Sequence, residues 1–208
     1  MLFRAYTIYK SLEGAFPKSE GKNLFAVCSL IASSTVSTRK LPFGGISFAP
    51  RTKNWEILSG ERVELPERVY LSECTEKTLA RLTDTQKAIY HCIFSRSHDG
   101  FARERSLKAL SAENIPDFAL PYIVYSGGDY VMEIVEAALA LARGEERARL
   151  RGFCALNIKN VQFCHSRMMS YWWEYYRDIC PDYGSYAGKA LFEECFGFYK
   201  TGQKEIRL

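Results

Sequence analysis

The sequence predicts a mainly α-helical fold, in which tandem helical hairpins follow an irregular amino-terminal segment that contains a small β-hairpin. Three observations lead to this prediction. The stretch 84–143 repeats itself at an interval of 29 residues, glycine and proline interrupt 41–73, and aromatic residues recur at helical spacing in 161–180. With 208 residues, of which 47% are apolar, the chain is long enough to bury a substantial core.

The first 40 residues contain one apolar run, Leu24–Val36. The run is too short to span a bilayer, so it predicts a buried helix or a buried strand. A signal peptide is the alternative, because Lys18 and Lys22 precede the run. However, the region before it is long and carries Glu13 and Glu20, which is untypical of a signal.

Residues 41–73 are punctuated by glycine and proline, which argues against a long helix. The sequences WEIL and RVEL flank Ser59-Gly60, a pair typical of a tight turn between two strands. We expect a two-stranded hairpin that packs against helices, since an isolated hairpin is marginally stable in water. Residues 1–73 are therefore predicted as an irregular unit, and 74–208 as a helical domain.

The two halves of the repeat, 84–112 and 113–143, each predict a helix, a short turn with glycine and a second helix. We expect them to share one core, formed by Ile89, Ile93, Phe94, Leu107, Leu110, Phe118, Ile123, Val131, Ile134 and Ala138. Residues of like character coincide at the repeat interval: Ile89 with Phe118, Ile93 with Tyr122, Phe94 with Ile123, Ser97 with Ser126, Phe101 with Tyr130, Ala102 with Val131, Glu104 with Glu133, Ala109 with Ala138 and Leu110 with Leu139.

Local signals place the ends of these helices. Thr75 or Thr83 is expected to cap the first helix, and Asp99 the second. Pro116 marks the start of the third helix, and Pro121 predicts a kink within it. In the second helix, the apolar face is predicted to consist of Phe101, Leu107 and Leu110, with Arg105 and Lys108 pointing away.

The second helix of the first half, DGFARERSLKAL, resembles the motif D-x-x-V-R-x-x-A-x-x-A-L of short HEAT-like repeats of the phycobilisome-lyase type. Asp99, Arg103 and Ala109-Leu110 match, and Val131 and Ala138-Leu139 match in the second half, where Met132 replaces the basic residue. This resemblance covers two units only. It implies a fragment of an α-solenoid used as a binding surface, with flanking segments that cap the repeats.

The densest aromatic stretch lies in the carboxy-terminal part of the chain. Helical spacing predicts one core stripe through Val161, Met168, Trp172, Tyr175 and Ile179, and an adjacent stripe through Met169, Trp173, Tyr176 and Cys180. Adjacent residues on a helix point about 100° apart. We therefore expect Trp172 in the core and Trp173 partly exposed, so that Trp173, Met169 and Tyr176 form a candidate interaction surface.

Charge, cysteine content and the motifs present limit the classes of function that this chain can have. The net charge is only +4, without the concentrated basic face that nucleic-acid binding needs, so a nucleic-acid partner is the weaker alternative. Seven irregularly spaced cysteines predict reduced thiols in a cytoplasmic protein. No CxxC, HxxxH or HExxH motif occurs, and the neighbours His91-Cys92 and Cys164-His165 do not suit a metal site or a nucleophile–base pair.

A group of acidic residues on the two helical hairpins provides the remaining candidate for a catalytic site. Glu104 and Glu133 are equivalent in the two halves, and Glu136 lies one helical turn beyond Glu133. These carboxylates could serve a small metal-dependent hydrolase or nuclease, but a solvated surface balanced by Arg103, Arg105 and Lys108 is the explanation that we favour. We expect no cofactor and no membrane segment, and favour a protein-interaction module, either an adaptor or an immunity-type inhibitor, or self-association.

Overall fold

The computed structural model describes residues 2–34, 52–110 and 115–199. It confirms the predicted fold class, because this part of the chain is mainly helical with a small two-stranded antiparallel sheet. The last two residues of the predicted apolar run 24–36, and the junction between the two predicted repeat halves, lie outside the described residues.

Two helices begin the described chain, α1 (Leu2–Leu12) and α2 (Gly21–Ser34). The apolar run therefore forms a helix, and its buried residues recur every three or four positions, as in Leu24, Val27, Cys28 and Ile31. The connection between the two helices contacts the repeat region, since the hydroxyl of Tyr122 donates a hydrogen bond to the carbonyl of Ala15 at 3.0 Å.

The predicted β-hairpin is confirmed. Strands β1 (Thr52–Glu56) and β2 (Arg62–Pro66) are antiparallel, and Gly60 in their turn has a φ of +84°, which favours glycine. The hairpin packs against the carboxy-terminal helices, where Trp55 stacks on Phe153 with ring centroids 5.7 Å apart. The side chain of Asn157 bonds both the amide and the carbonyl of Glu56, so it pairs backbone groups at the sheet edge.

Five helices follow the sheet: α3 (Glu76–Leu79), α4 (Asp84–Phe94), α5 (Gly100–Ala109), α6 (Leu120–Ser126) and α7 (Met132–Gly144). Helices α4 and α5 form the first helical hairpin, and α6 and α7 form the second. Thr83 caps α4 through a capping box with Gln86, and Asp99 caps α5 by accepting a hydrogen bond from the amide of Phe101 at 3.0 Å.

The predicted shared core of the two hairpins is confirmed. Nine of its ten residues are buried, and the tenth, Val131, is half-buried against the same cluster. The correspondence between the halves extends to burial at most matched positions. Ser97 and Ser126 are both buried, whereas Phe101 and Tyr130 are both exposed.

The prediction for Phe101 was wrong. Phe101 is 73% exposed and does not join Leu107 and Leu110 in the core. It lies in the first turn of α5, directly after the cap Asp99. Ala102 and Arg103 are buried in its place, so the first turn presents another face to the core than apolar spacing alone indicates.

The third helix begins at Leu120, later than the start predicted at Pro116. Pro116 precedes a 3₁₀ turn (Asp117–Ala119), and Pro121 lies in the first turn of α6, where its missing amide hydrogen leaves no helical bond unmade. The proline therefore starts an α-helix after a 3₁₀ turn, and does not kink one continuous helix.

Three further helices complete the described part of the chain, α8 (Arg147–Leu156), α9 (Ile158–Tyr171) and α10 (Ala187–Ala190). A π-helical turn (Trp172–Tyr176) continues α9, a 3₁₀ turn (Tyr183–Ser185) precedes α10, and a second π-helical turn (Leu191–Cys195) follows α10.

The π-helical turn after α9 corrects the predicted core stripe. Tyr175 and Ile179 were expected in the core but are 57% and 77% exposed. Because a π turn inserts extra backbone, the inward positions after Trp172 fall on Tyr176 and Cys180, both of which pack against the core.

Candidate functional site

The turn between α6 and α7 packs directly against α9. A Cβ atom at Gly128 would lie 2.9 Å from the carbonyl oxygen of Cys164 in α9, closer than real side chains approach. Only glycine therefore lets the turn rest directly on α9. Tyr130, which follows this turn, is thereby placed beside Tyr171 of α9.

An exposed group of aromatic rings covers this contact. The ring centroids of Tyr130 and Tyr171 are 6.0 Å apart, and those of Tyr171 and Tyr175 are 6.1 Å apart. Tyr130 is 44% and Tyr175 is 57% exposed, while Tyr171 is half-buried between them. We call Tyr130, Tyr171 and Tyr175 the tyrosine surface. It joins the second helical hairpin to the end of α9.

Four arginines lie beneath and beside the tyrosine surface, and we call Arg68, Arg96, Arg103 and Arg167 the arginine cluster. Arg96 and Arg103 are buried, whereas Arg68 and Arg167 reach the surface. The guanidinium of Arg96 lies 4.2 Å from the ring centroid of Tyr125, and Arg167 donates to the hydroxyl of the same tyrosine at 3.0 Å.

The cluster contains one carboxylate partner among the described residues, the buried Asp129. Its side chain accepts hydrogen bonds from Arg103 at 3.1 Å and from the amide of Val131 at 3.2 Å, and Arg68 lies 3.5 Å away. One carboxylate among four guanidinium groups leaves three positive charges that no described acidic residue balances. Buried charges are ordinarily paired, so this imbalance is unusual.

Arg96 shows the effect of the imbalance. Its guanidinium donates hydrogen bonds to neutral backbone carbonyls, those of Pro66, Glu67 and Ser95, and to no carboxylate within the described part of the chain. Burial lowers the pKa of Arg96 to about 9; the charges of Arg68 and Arg167 act in the same direction, whereas Tyr125 and Asp129 oppose them. Both arginines near the surface are therefore close enough to Arg96 for their charges to affect it.

The segment after the β-hairpin fixes Arg68 in this position. The amide of Val69 donates to the carbonyl of Arg96 at 2.7 Å, and the carbonyl of Val69 accepts from the amide of His98 at 3.0 Å. These bonds tie the segment to the turn between α4 and α5. The exposed Tyr70 then stacks on His98, with ring centroids 5.1 Å apart.

The three residues predicted as an interaction surface differ in exposure and in their contacts. Trp173 is 58% exposed, which confirms the expected partial exposure. The guanidinium of Arg177 lies 4.6 Å from its ring centroid. Met169 is half-buried against the core. The hydroxyl of Tyr176 donates to the carbonyl of Tyr130 and accepts from the amide of Met132, so its polar end is engaged with the second hairpin.

The acidic residues Glu104, Glu133 and Glu136 do converge. They line a groove of about 380 Å³ between α5 and α7, together with Lys108, Leu110, Ala137, Ala140 and Leu141. Lys108 forms an ion pair with Glu104 at 2.6 Å, and this hydrogen bond raises the pKa of Lys108. Among the described residues, no group of three potential ligands has the geometry to hold a metal ion.

Burial disfavours the thiolate form of Cys92 and Cys164, the two cysteines that adjoin a histidine in the sequence. Burial raises the pKa of the Cys164 thiol to about 12, and it raises that of Cys92 as well. Both thiols are therefore protonated at neutral pH, whereas nucleophilic attack requires the thiolate. All seven cysteines are free thiols, as predicted.

Sequence patterns missed most of this site. Tyr130 was recognised only as the repeat equivalent of Phe101, and Tyr175 was assigned to the core. Only Arg103 belongs to a recognisable motif, and no pattern joins it to Arg68, Arg96 and Arg167, because the four arginines lie in different parts of the fold. One signal was present in the chain: Arg103 and Asp129 follow equivalent turns of the two halves, where a basic and an acidic residue can pair between neighbouring repeats.

Comparison of the chain with protein-family models, with curated proteins and with solved structures finds no match. Within the part of the chain that the structure describes, no helix combines the length and apolar character needed to cross a bilayer.

Proposed function

We propose that this chain is a protein-interaction module, and that the tyrosine surface is its principal contact. The observation that carries the proposal is the exposed, laterally connected group of rings formed by Tyr130, Tyr171 and Tyr175. Tyrosine is enriched in protein interfaces because it presents a large apolar area together with a polar end. Phe101 at the start of α5 and Tyr70 in the segment after the β-hairpin are further exposed rings.

The HEAT-like resemblance supports the same function. Repeats of this kind use their surfaces for binding, and the carboxy-terminal helices here cover the second hairpin as a cap would. Either an adaptor or an immunity-type inhibitor fits this architecture. The seven free thiols support a reducing compartment such as the cytoplasm.

Trp173 is the alternative to the tyrosine surface as the contact with a partner protein. It is as exposed as Tyr175, but it lies on another side of the same helix end and contacts Arg177 rather than the tyrosine rings. The tyrosine surface is favoured because it spans two separate elements of the fold. A metal-dependent hydrolase whose site is formed by Glu104, Glu133 and Glu136 has less support, because Glu104 already forms an ion pair with Lys108.

Affinity retention from a lysate of the source cell tests the proposal. We expect the wild-type chain to retain a defined set of proteins, and the double variant Tyr130→Ala/Tyr175→Ala to lose it. The matched control is Phe3→Ala/Tyr6→Ala, which removes two exposed rings from α1. Trp173→Ala is measured in parallel.

Each outcome decides between the surfaces. Loss of retention with the double tyrosine variant alone supports the tyrosine surface. Loss with Trp173→Ala alone transfers the interaction to the other side of α9. Equal retention by all variants would contradict the proposal, provided that circular dichroism shows all of them to be folded.

A further inference from the structure

The charge imbalance beneath the tyrosine surface bears on the kind of partner that this surface takes. The arginine cluster holds one carboxylate, Asp129, against four guanidinium groups, and Asp129 is fully engaged by Arg103, Arg68 and the amide of Val131. The Nε of Arg103 is buried and has no hydrogen-bond partner among the described residues. The cluster therefore keeps an excess of positive charge that a further anion would balance.

The accessible part of this charge lies at the edge of the tyrosine surface. Arg167 is half-buried, and its guanidinium lies 5.7 Å from the ring centroid of Tyr171. The side chain of Arg68 is 17% exposed, beside Asp129 and the turn that leads to Tyr130. Arg96 and Arg103 lie behind them with little or no exposure, and they add to the field without touching a ligand.

We propose that the tyrosine surface binds an acidic segment of a partner protein, in which a carboxylate pairs with Arg68 and Arg167 while apolar side chains cover the tyrosine rings. This inference rests on the proposed function and adds the chemistry of the partner to it. Arginine suits the role, because its planar fork binds a carboxylate through two parallel hydrogen bonds.

A nucleic acid would supply anions too, but it fits this surface less well. Binding a nucleic-acid backbone requires a row of accessible cations that follows successive phosphates. Here two of the four arginines are buried, and the two that reach the surface border a compact group of rings. A single carboxylate within a mixed acidic and apolar segment matches the number and the position of the accessible charges.

Fluorescence anisotropy with labelled peptides tests the inference. The probe is a twelve-residue peptide of alternating Glu and Leu, and its neutral counterpart is the same peptide with Gln in place of Glu. We expect the full chain to bind the Glu peptide more tightly than the Gln peptide, and expect the difference to shrink as salt is raised from about 50 to 300 mM.

Variants locate the charge contact. Arg68→Gln and Arg167→Gln should each weaken binding of the Glu peptide by about five- to tenfold, a loss expected for partly desolvated charge pairs. The lysine variants Arg68→Lys and Arg167→Lys should recover part of the affinity, which would separate lost charge from lost structure. Arg62→Gln is the matched control, since Arg62 is 80% exposed on β2 and lies outside the cluster.

Three results would overturn the inference. These are equal binding of the Glu and Gln peptides, no effect of the Arg68 and Arg167 variants, and tighter binding of a twenty-nucleotide oligo-dT than of the Glu peptide. If retention from the lysate still depends on Tyr130 and Tyr175 in any of these cases, the proposed function stands and only the chemistry of the partner is wrong. If retention does not depend on the tyrosines, both fail.

Discussion

Asp129 links the helical hairpins to the β-hairpin segment through side-chain bonds. Its carboxylate lies between two arginines and also bonds the amide of Val131 at the start of α7. A buried carboxylate that neutralises buried cations is costly to remove, because the remaining charges are left uncompensated. Asp129 therefore contributes far more to the free energy of unfolding than an ordinary helix cap does.

We predict that Asp129→Ala lowers the free energy of unfolding by about 3–5 kcal/mol. Asp99→Ala is the matched control, because Asp99 caps α5 in the equivalent turn but is exposed and forms no ion pair with a described arginine. It should cost about 1 kcal/mol. Urea unfolding of both variants measures the difference. Similar losses for the two would show that Asp129 is only a cap.

His91 gives the fold a pH dependence with a definite sign. Burial lowers its pKa to about 4, with a smaller effect of the Lys87 charge, and its buried Nδ1 has no partner among the described residues. The ordinary pKa is about 6.5, so the unfolded chain binds a proton first as pH falls. The contribution of His91 to stability is present above pH 6.5 and is lost between pH 6.5 and 4.

We expect wild-type stability to fall more steeply than that of His91→Gln in this window, by up to about 1.4 kcal/mol per pH unit. His98→Gln serves as the control, since His98 is exposed on a turn. The measurement is urea unfolding at pH 7.5, 6 and 5. Parallel pH profiles for the wild type and His91→Gln would contradict the account.

Among the elements, the π-helical turn determines which tyrosine is structural. Tyr176 bonds the carbonyl of Tyr130 and the amide of Met132, whereas Tyr175 is exposed on the tyrosine surface. Tyr176→Phe should cost about 1–3 kcal/mol, because it leaves backbone groups unpaired, and Tyr175→Phe should cost almost nothing. Thermal and urea unfolding distinguish them. A larger loss for Tyr175→Phe than for Tyr176→Phe would indicate instead that α9 continues as a regular helix with Tyr175 in the core.

The second helix of the first hairpin provides a similar contrast. Leu110 is 5% exposed and Phe101 is 73% exposed, although apolar spacing assigned both to one face. We predict that Leu110→Ala costs about 2–5 kcal/mol and that Phe101→Ala changes stability by less than about 0.5 kcal/mol. Urea unfolding at one pH measures both. A large loss with Phe101→Ala would contradict its position outside the core.

Sequence periodicity predicted the elements that local physics determines. The β-hairpin, the cap Asp99 and the shared core of the two helical hairpins follow from spacing and from side-chain chemistry within a few residues. The same signals left two alternatives for α2, a helix or a strand, and two candidates for the first cap, Thr75 or Thr83. Spacing failed at Tyr175 and Ile179, because a π turn changes the number of residues per turn without a sequence signature.

For the molecule as a whole, the candidate site depends on contacts that are distant in the sequence. Arg68 follows the β-hairpin, Arg96 and Arg103 belong to the first helical hairpin, and Arg167 lies in α9. Only the folded chain brings them to Asp129 and Tyr125. No pattern within one element could predict this, whereas Glu104 and Glu133 could be placed in one groove because the repeat itself relates them.

Photo-crosslinking in the source cell tests the central claim, that the tyrosine surface is the contact with a partner, most directly. Benzoylphenylalanine replaces Tyr130, Tyr175, Trp173 or Phe3, all of which are exposed, so each position presents a comparable reactive ring. We predict adducts of one defined mass from Tyr130 and Tyr175, and none from Phe3. Adducts from Trp173 alone, or no adduct from either tyrosine position, would contradict the account.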